Sequence, residues 1–149
     1  MSVFQKSVGV PYSEAQAFEL VSDVARYPDF IKWITAMRVS GHKQLADGSA
    51  EFVGDAAIGF RGFSERFSTK VVSNLERGEV VATLVRGPFK HLVAKWTIGS
   101  GEGGGSTIAL KIDYEFRNLV LRLLASANED MAAGRIMDAF LAEAARRYA

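Results

Sequence analysis

The sequence predicts an α+β fold in which one antiparallel sheet of about seven strands curls around a long C-terminal helix. Three observations carry this reading. Residues 35–116 run almost throughout as strands parted by tight turns, a single helix pattern precedes them, and a proline-free helical stretch follows. An antiparallel sheet of that extent curls, and wrapping the last helix buries its inner face.

Residues 3–10 alternate loosely as a first strand that Pro11 stops. Ser13 then caps a helix, with Gln16 three residues on completing a capping box. Ala17, Leu20, Val21 and Val24 form the apolar stripe of that helix, which is expected to fade near Tyr27-Pro28. Residues 27–33 make a short, aromatic-rich connection. A strand over residues 37–45 leads into Asp47-Gly48, a strong hairpin signal. Phe52, Gly54, Ala56, Ile58 and Phe60 share one face of the next strand. After a bend at residues 59–62, Phe63, Glu65, Phe67, Thr69 and Val71 share a face of the one after. Two strands flank Gly87-Pro88, the second carrying Leu92, Ala94, Trp96 and Ile98 on one side. Beyond a glycine-rich loop at residues 99–106, Ile108, Leu110, Ile112, Tyr114 and Phe116 alternate with polar residues, giving one buried and one wet face. Residues 119–148 repeat Val120, Leu123, Leu124, Ala127, Met131, Met137, Leu141, Ala145 and Tyr148 at helical spacing, with Gly134 as a candidate bend.

The 149 residues are expected to form one domain spanning 1–149. Eighteen Lys and Arg against seventeen Asp and Glu leave a net charge of +1 with no basic stripe, which argues against DNA as a partner. The chain has no cysteine, so disulfides, thiolate zinc sites and cysteine nucleophiles are excluded. No signal-peptide pattern opens the chain, and no apolar run approaches the roughly 20 residues that span a bilayer. The expected location is cytoplasmic, with at most peripheral contact at the inner membrane.

No catalytic constellation and no metal site is legible. Gly101-Glu102-Gly103-Gly104-Gly105 precedes a strand rather than a helix, so it reads as a hairpin loop and not a phosphate cradle. His42 reads as exposed, and His91 reads as a corner residue able to reach a cavity mouth. Glu65 shares its register with Phe63 and Phe67, which would bury a carboxylate. Either it anchors a ligand headgroup inside, or a bulge near Gly62 turns it outward toward Arg66 or Arg61. The aromatic residues are the main constellation: Trp33, Phe52, Phe60, Phe63, Phe67, Phe89, Trp96, Tyr114 and Phe116, mixed with small residues Gly54, Ala56 and Ala94. They fit an apolar ligand cavity and equally a solid core. Leu119, Val120, Leu121 and Leu124 form an apolar helix start, either buried or a greasy lip at a pocket entrance, with Arg117 and Arg122 reaching toward lipid phosphates.

Gly87-Pro88-Phe89-Lys90-His91-Leu92, with Trp96 four residues later, resembles the signature of the ubiquinone-binding branch of the START-like lipid-transfer superfamily, which includes the bacterial RatA proteins. Tyr27-Pro28-Asp29-Phe30-Ile31-Lys32-Trp33, the segment from Gly59 to Phe67, Ile112-Asp113-Tyr114-Glu115-Phe116-Arg117 and Ala139-Phe140 resemble other parts of that family. The sequence departs at Lys32, where proline is usual, and at Ile34, where cysteine often follows the tryptophan. The resemblance implies a helix-grip fold with a cavity between sheet and helix. It also implies ubiquinone or a similar isoprenoid quinone as bound ligand, no catalytic cofactor, and a role in respiration. The RatA branch implies ribosome association as an alternative. Membership with aromatic polyketide cyclases and dehydrases implies another, for which Glu65, His91 and Tyr114 are the available acid–base groups.

Overall fold

The computed structural model describes residues 2–60 and 63–148; the side chains of Ser2, Phe60, Phe63, Leu121 and residues 124–133 lie outside the described set. The chain runs β1 (Ser2–Val10), α1 (Glu14–Ser22), a 3-10 turn (Val24–Asp29), β2 (Ile34–Gln44), β3 (Ala50–Phe60), β4 (Phe63–Asn74), β5 (Glu79–Arg86), β6 (Phe89–Ser100), β7 (Ser106–Phe116) and α2 (Leu119–Tyr148). The seven strands form one sheet in the order β1-β7-β6-β5-β4-β3-β2, every pairing antiparallel. Each strand after the first therefore pairs with its sequence neighbour, and β1 closes onto β7.

Local chemistry sets most of the boundaries. Ser13 accepts from the Gln16 backbone while the Gln16 side chain accepts from the Ser13 backbone, the reciprocal box that starts α1. The helix stops earlier than the sequence suggests, at Ser22. The chain then continues as a 3-10 turn that includes Pro28, and this tighter geometry keeps Tyr27 near Val21, whose carbonyl accepts its hydroxyl. At Asp47-Gly48 the glycine adopts φ +88° and donates to Leu45 at 3.1 Å, closing the β2–β3 hairpin. Helix α2 begins where the Asn118 side chain accepts from the Val120 backbone at 2.7 Å. It then continues as one helix through Gly134 to Tyr148.

The core lies between the concave sheet face and the two helices. Ala17, Leu20 and Val21 of α1 meet Phe52, Val71, Val80, Trp96, Ile98, Ile108 and Leu110 of the sheet, and Met137, Phe140 and Ala144 of α2. Full burial of each large side chain contributes about 1.5–3 kcal/mol. The buried stripe in the last turns of α2 is Met137-Phe140-Ala144, whereas Ala145, expected on it, is exposed. Bulges bend the sheet between Ile34 and Ala36, Ser40 and Lys43, Ser68 and Thr69, and Phe89 and His91.

Candidate ligand site

The inner face divides into two aromatic groups. One surrounds Phe140, whose ring lies 5.0 Å from both Tyr27 and Phe30 and 4.5 Å from Trp96. These groups are packed as core. Burial pushes the Tyr27 hydroxyl well above its ordinary range, the nearby Asp23 charge adds to this, and a hydrogen bond with Trp96 opposes it. Trp96, expected to line a ligand site, packs on Phe140 in this group and is 6% exposed, as buried as Phe89 in the other group at 5%.

The second group occupies the far end of the sheet. Phe89 stacks on Phe116 at 4.6 Å and meets Phe67 edge-on at 5.5 Å, while Tyr114 meets Phe116 edge-on at 5.8 Å. The Gly87-Pro88-Phe89 corner brings these rings together. A Cβ at Gly87 would overlap the Cβ of Phe67, and its φ of +150° disfavours other residues, so only glycine lets the corner press onto β4. Arg117 fastens the corner from β7: its backbone donates to Pro88 at 2.8 Å and its Nε to the Phe89 carbonyl at 2.9 Å. Arg122 on α2 donates from Nε to the Phe116 carbonyl at 2.8 Å. These two arginines were expected to reach toward lipid; the structure uses their Nε atoms as backbone ties.

Glu65 lies on the inner face. The β3–β4 register is unbroken from Ala50/Ser73 to Phe60/Phe63, with Glu65 opposite Ile58 and Phe67 opposite Ala56. Directly opposed residues share a face, and Ala56 and the same-face pair Phe52/Val71 are buried. No bulge turns Glu65 outward, and it has no hydrogen bond or ion pair with Arg66. His91 corrects the sequence reading. It pairs in register with Glu115, on the outer face, and its Nε2 lies 2.8 Å from Asp113 Oδ1. It does not line the inner site.

Small residues leave less space than the sequence suggests. At Gly54 the place of a side chain is taken by Met37 and Val24, with Sδ and Cγ1 at 3.4 and 3.6 Å from an ideal Cβ. Phe52 is buried in the core beside His42, ring centroids 5.3 Å apart. Trp33 is half-buried against the core, its carbonyl accepting from Gly59 at 2.9 Å. Phe60 and Phe63 fall among the undescribed side chains, although their backbones pair at the β3–β4 hairpin.

The start of α2 is apolar and open. Leu119, Val120 and Leu123 are 64%, 54% and 63% exposed; Leu121 and Leu124 are outside the described side chains. Most of the Tyr27–Trp33 connection lies away from this helix start. Tyr27 and Phe30 pack on Phe140, 21 residues along α2 from Leu119 and so about 30 Å away. Only the Trp33 end reaches toward the open side, at Gly59.

Two surface depressions lie elsewhere. One, of about 390 Å³, sits over Ala109 between Gln5, Lys6, Ser7, Lys95, Thr97 and Lys111; the other, of about 680 Å³, adjoins the Gly101 loop. Among the described residues no group of three or more His, Asp or Glu could hold a metal ion. No described helix is long and apolar enough to cross a membrane.

A cluster that the sequence reading passed over closes the C-terminal end. Glu143 is buried and accepts from Arg146 Nε at 2.8 Å, Arg146 Nη2 at 2.7 Å and Arg147 Nε at 2.6 Å. The carboxylate–arginine spacing of three and four along a helix was the available signal. Arg147 also lies over the Phe30 ring, its Cζ 5.7 Å from the centroid.

A curved antiparallel sheet gripping a C-terminal helix, with an aromatic inner end and a greasy helix start, defines a START-like helix-grip protein. The chain belongs to the polyketide cyclase / dehydrase and lipid transport family, whose model matches residues 10–141. It is 29% identical to the ribosome association toxin RatA of Vibrio cholerae (strain El Tor Inaba N16961), covering 99% of each chain. It is 23% identical to a mitochondrial coenzyme Q-binding protein of Schizosaccharomyces pombe, covering 97% of this chain and 87% of that one. Among solved structures it resembles an 18 kDa protein from Caulobacter crescentus, with a TM-score of 0.80, 32% identity, and coverage of 98% and 97%. It also shares the fold of the Zhui aromatase/cyclase from a Streptomyces species, with a TM-score of 0.84, 16% identity, and coverage of 99% and 96%.

Proposed function

We propose that the protein binds ubiquinone or a similar isoprenoid quinone without chemically altering it, in support of respiratory electron transport. The observation that carries this reading is the second aromatic group. Phe67, Phe89, Tyr114 and Phe116 gather on the inner face beside the exposed apolar start of α2. Flat aromatic walls suit a ring headgroup, and burial at about 25 cal/mol per Å² gives affinity for an apolar tail without strong polar contacts. The likeness to a coenzyme Q-binding protein supports the choice of ligand. Non-catalytic binding is favoured because the three candidate acid–base groups do not converge: Glu65 and Tyr114 are on the inner face and His91 is on the outer. Peripheral contact at the cytoplasmic side of the inner membrane is part of this reading, and the exposed apolar start of α2 supports the contact. Solvent extraction of the purified protein, followed by mass spectrometry, is expected to release a quinone. Protein that carries none, and whose tryptophan fluorescence is not quenched by added quinone, would overturn the reading.

A second reading, ribosome association, is favoured by the RatA relatives. Its candidate surface is the outer-face depression flanked by Lys95 and Lys111, with Lys6 at its β1 edge, since lysines meet rRNA phosphates. Lys95 is already paired with Glu79 at 3.0 Å, which weakens that surface. Co-sedimentation with large ribosomal subunits at moderate salt, abolished at high salt, is the result this reading requires.

A further inference from the structure

Glu65 is the one acidic side chain that the β3–β4 register sets on the inner face at the aromatic end, opposite Ile58 and one inner position from Phe67. It makes no hydrogen bond or ion pair with a described residue. Arg66, its chain neighbour, alternates to the outer face and is exposed. A carboxylate without a partner among the described residues, on the same face as Phe67, is a group able to take a donor.

The chemistry of that donor is restrictive. An ionised carboxylate only accepts hydrogen bonds, and the oxygens of a quinone ring also only accept. Set against each other they leave both groups unsatisfied. A hydroquinone or a phenol presents an O–H that donates to the carboxylate, forming a charge-assisted bond.

We infer that the site prefers a ring ligand bearing a hydroxyl donor, the reduced hydroquinone or a phenol, over the oxidised quinone, and that Glu65 determines this preference. The inference rests on the ring-and-tail ligand proposed above and adds its redox state. One charge-assisted hydrogen bond at a half-buried position corresponds to about tenfold in affinity. A tenfold preference for the reduced form raises the midpoint potential of the bound two-electron couple by about 30 mV.

The test is anaerobic calorimetry with three probes: decylbenzoquinone, its hydroquinone, and 4-nonylphenol as a donor that does not change redox state. Wild-type protein is expected to bind the hydroquinone and the phenol about tenfold more tightly than the quinone. Glu65→Gln, whose amide both donates and accepts, is expected to bring the ratio near one, and Glu65→Leu to weaken the two donors while leaving the quinone unchanged or tighter. If a variant fails to fold, the wild-type ratio alone decides. Equal binding of quinone and hydroquinone by wild type overturns the inference and leaves the proposed function standing. A ratio that survives in folded Glu65→Gln removes Glu65 as its cause and also overturns it. Failure of all three probes to bind overturns the inference and the ring-ligand reading together.

Discussion

Phe89 stacks on Phe116 with ring centroids 4.6 Å apart and planes 24° apart, although simple alternation along β6 would point it to the opposite face from Leu92 and Trp96. The bulge at Lys90 resolves this. Phe89 pairs with Phe116 and His91 with Glu115, so two steps on β6 match one on β7. Phe89 thereby turns inward while His91 stays outward.

Deleting Lys90 removes the extra residue and leaves Phe89 directly before outward-facing His91, so simple alternation then keeps Phe89 inward, opposite Phe116. The deletion is expected to retain quinone binding and to lose less urea midpoint than Phe89→Ala, whose cost is about 3–5 kcal/mol, that of removing a buried phenylalanine. Lys90 is exposed, so Lys90→Ala should change stability by no more than about 0.5 kcal/mol. A deletion as destabilising as Phe89→Ala would show that the place opposite Phe116 does not hold Phe89 inward.

Gly87 gives a second test of the same corner. Gly87→Ala adds a Cβ that overlaps Phe67 at a strained φ of +150°. A cost of about 1–3 kcal/mol is expected. Gly99→Ala is the control, since nothing lies within 4 Å of a Cβ there and its φ is ordinary. Equal melting temperatures for the two variants would contradict the close approach.

Much of this was legible before the structure, because it follows from local rules. The Ser13–Gln16 box, the Asp47-Gly48 turn and the alternation through Phe116 each depend on residues close in sequence, and α2 spans the residues its periodicity marks. What was not legible depends on distant partners. Nothing local reveals that Tyr27 and Phe30 turn to Phe140, or that Val24 fills the space above Gly54. The face taken by Phe89 hinges on one extra residue in a ladder, and a one-residue shift reverses every side chain beyond it. The candidate site was read as a single aromatic set. The structure divides the described members, with Trp96 and Phe52 in the core and Phe67, Phe89, Tyr114 and Phe116 at the open end.

His91 sets a prediction by contrast with Glu65. Its pair with Asp113 is partly exposed on the outer face, the side chains 35% and 32% accessible. His91→Ala should leave ligand affinity unchanged and cost about 1 kcal/mol or less of stability. Loss of ligand binding in a folded His91→Ala protein would place the site on the wrong face.

Glu143 predicts acid sensitivity. Hydrogen bonds from Arg146, assisted by Arg147 and opposed by burial, hold its carboxyl down at about 2 from a usual 4.5. Because the folded value is depressed, the stabilisation is fully present above pH 4.5 and is lost as the pH falls toward 2. Glu143→Ala leaves Arg147 buried and without its carboxylate, at a cost of about 3 kcal/mol near neutrality. The gap between wild type and variant should then narrow between pH 4.5 and 2 in urea titrations. A gap that stays constant across that range would mean that the carboxylate charge contributes nothing.

The start of α2 decides between a membrane lip and ordinary packing. Leu119, Val120 and Leu123 are all more than half exposed, a contiguous apolar turn with no covering element among the described residues. Exposed patches of this kind mark contact surfaces. Exposed Lys90 and Arg117, together with partly exposed Arg122, are close in the chain or bonded to the corner beside it. Near an anionic leaflet each cation adds about 1 kcal/mol of attraction, so binding to vesicles containing phosphatidylglycerol should weaken with salt. Leu123→Glu places a charge at an exposed position, where it should change the melting temperature little while sharply reducing vesicle retention and slowing ligand transfer from them. A large fall in melting temperature would show instead that Leu123 is covered in solution. Unchanged retention with unchanged stability would remove the membrane lip and leave the ligand to enter from water.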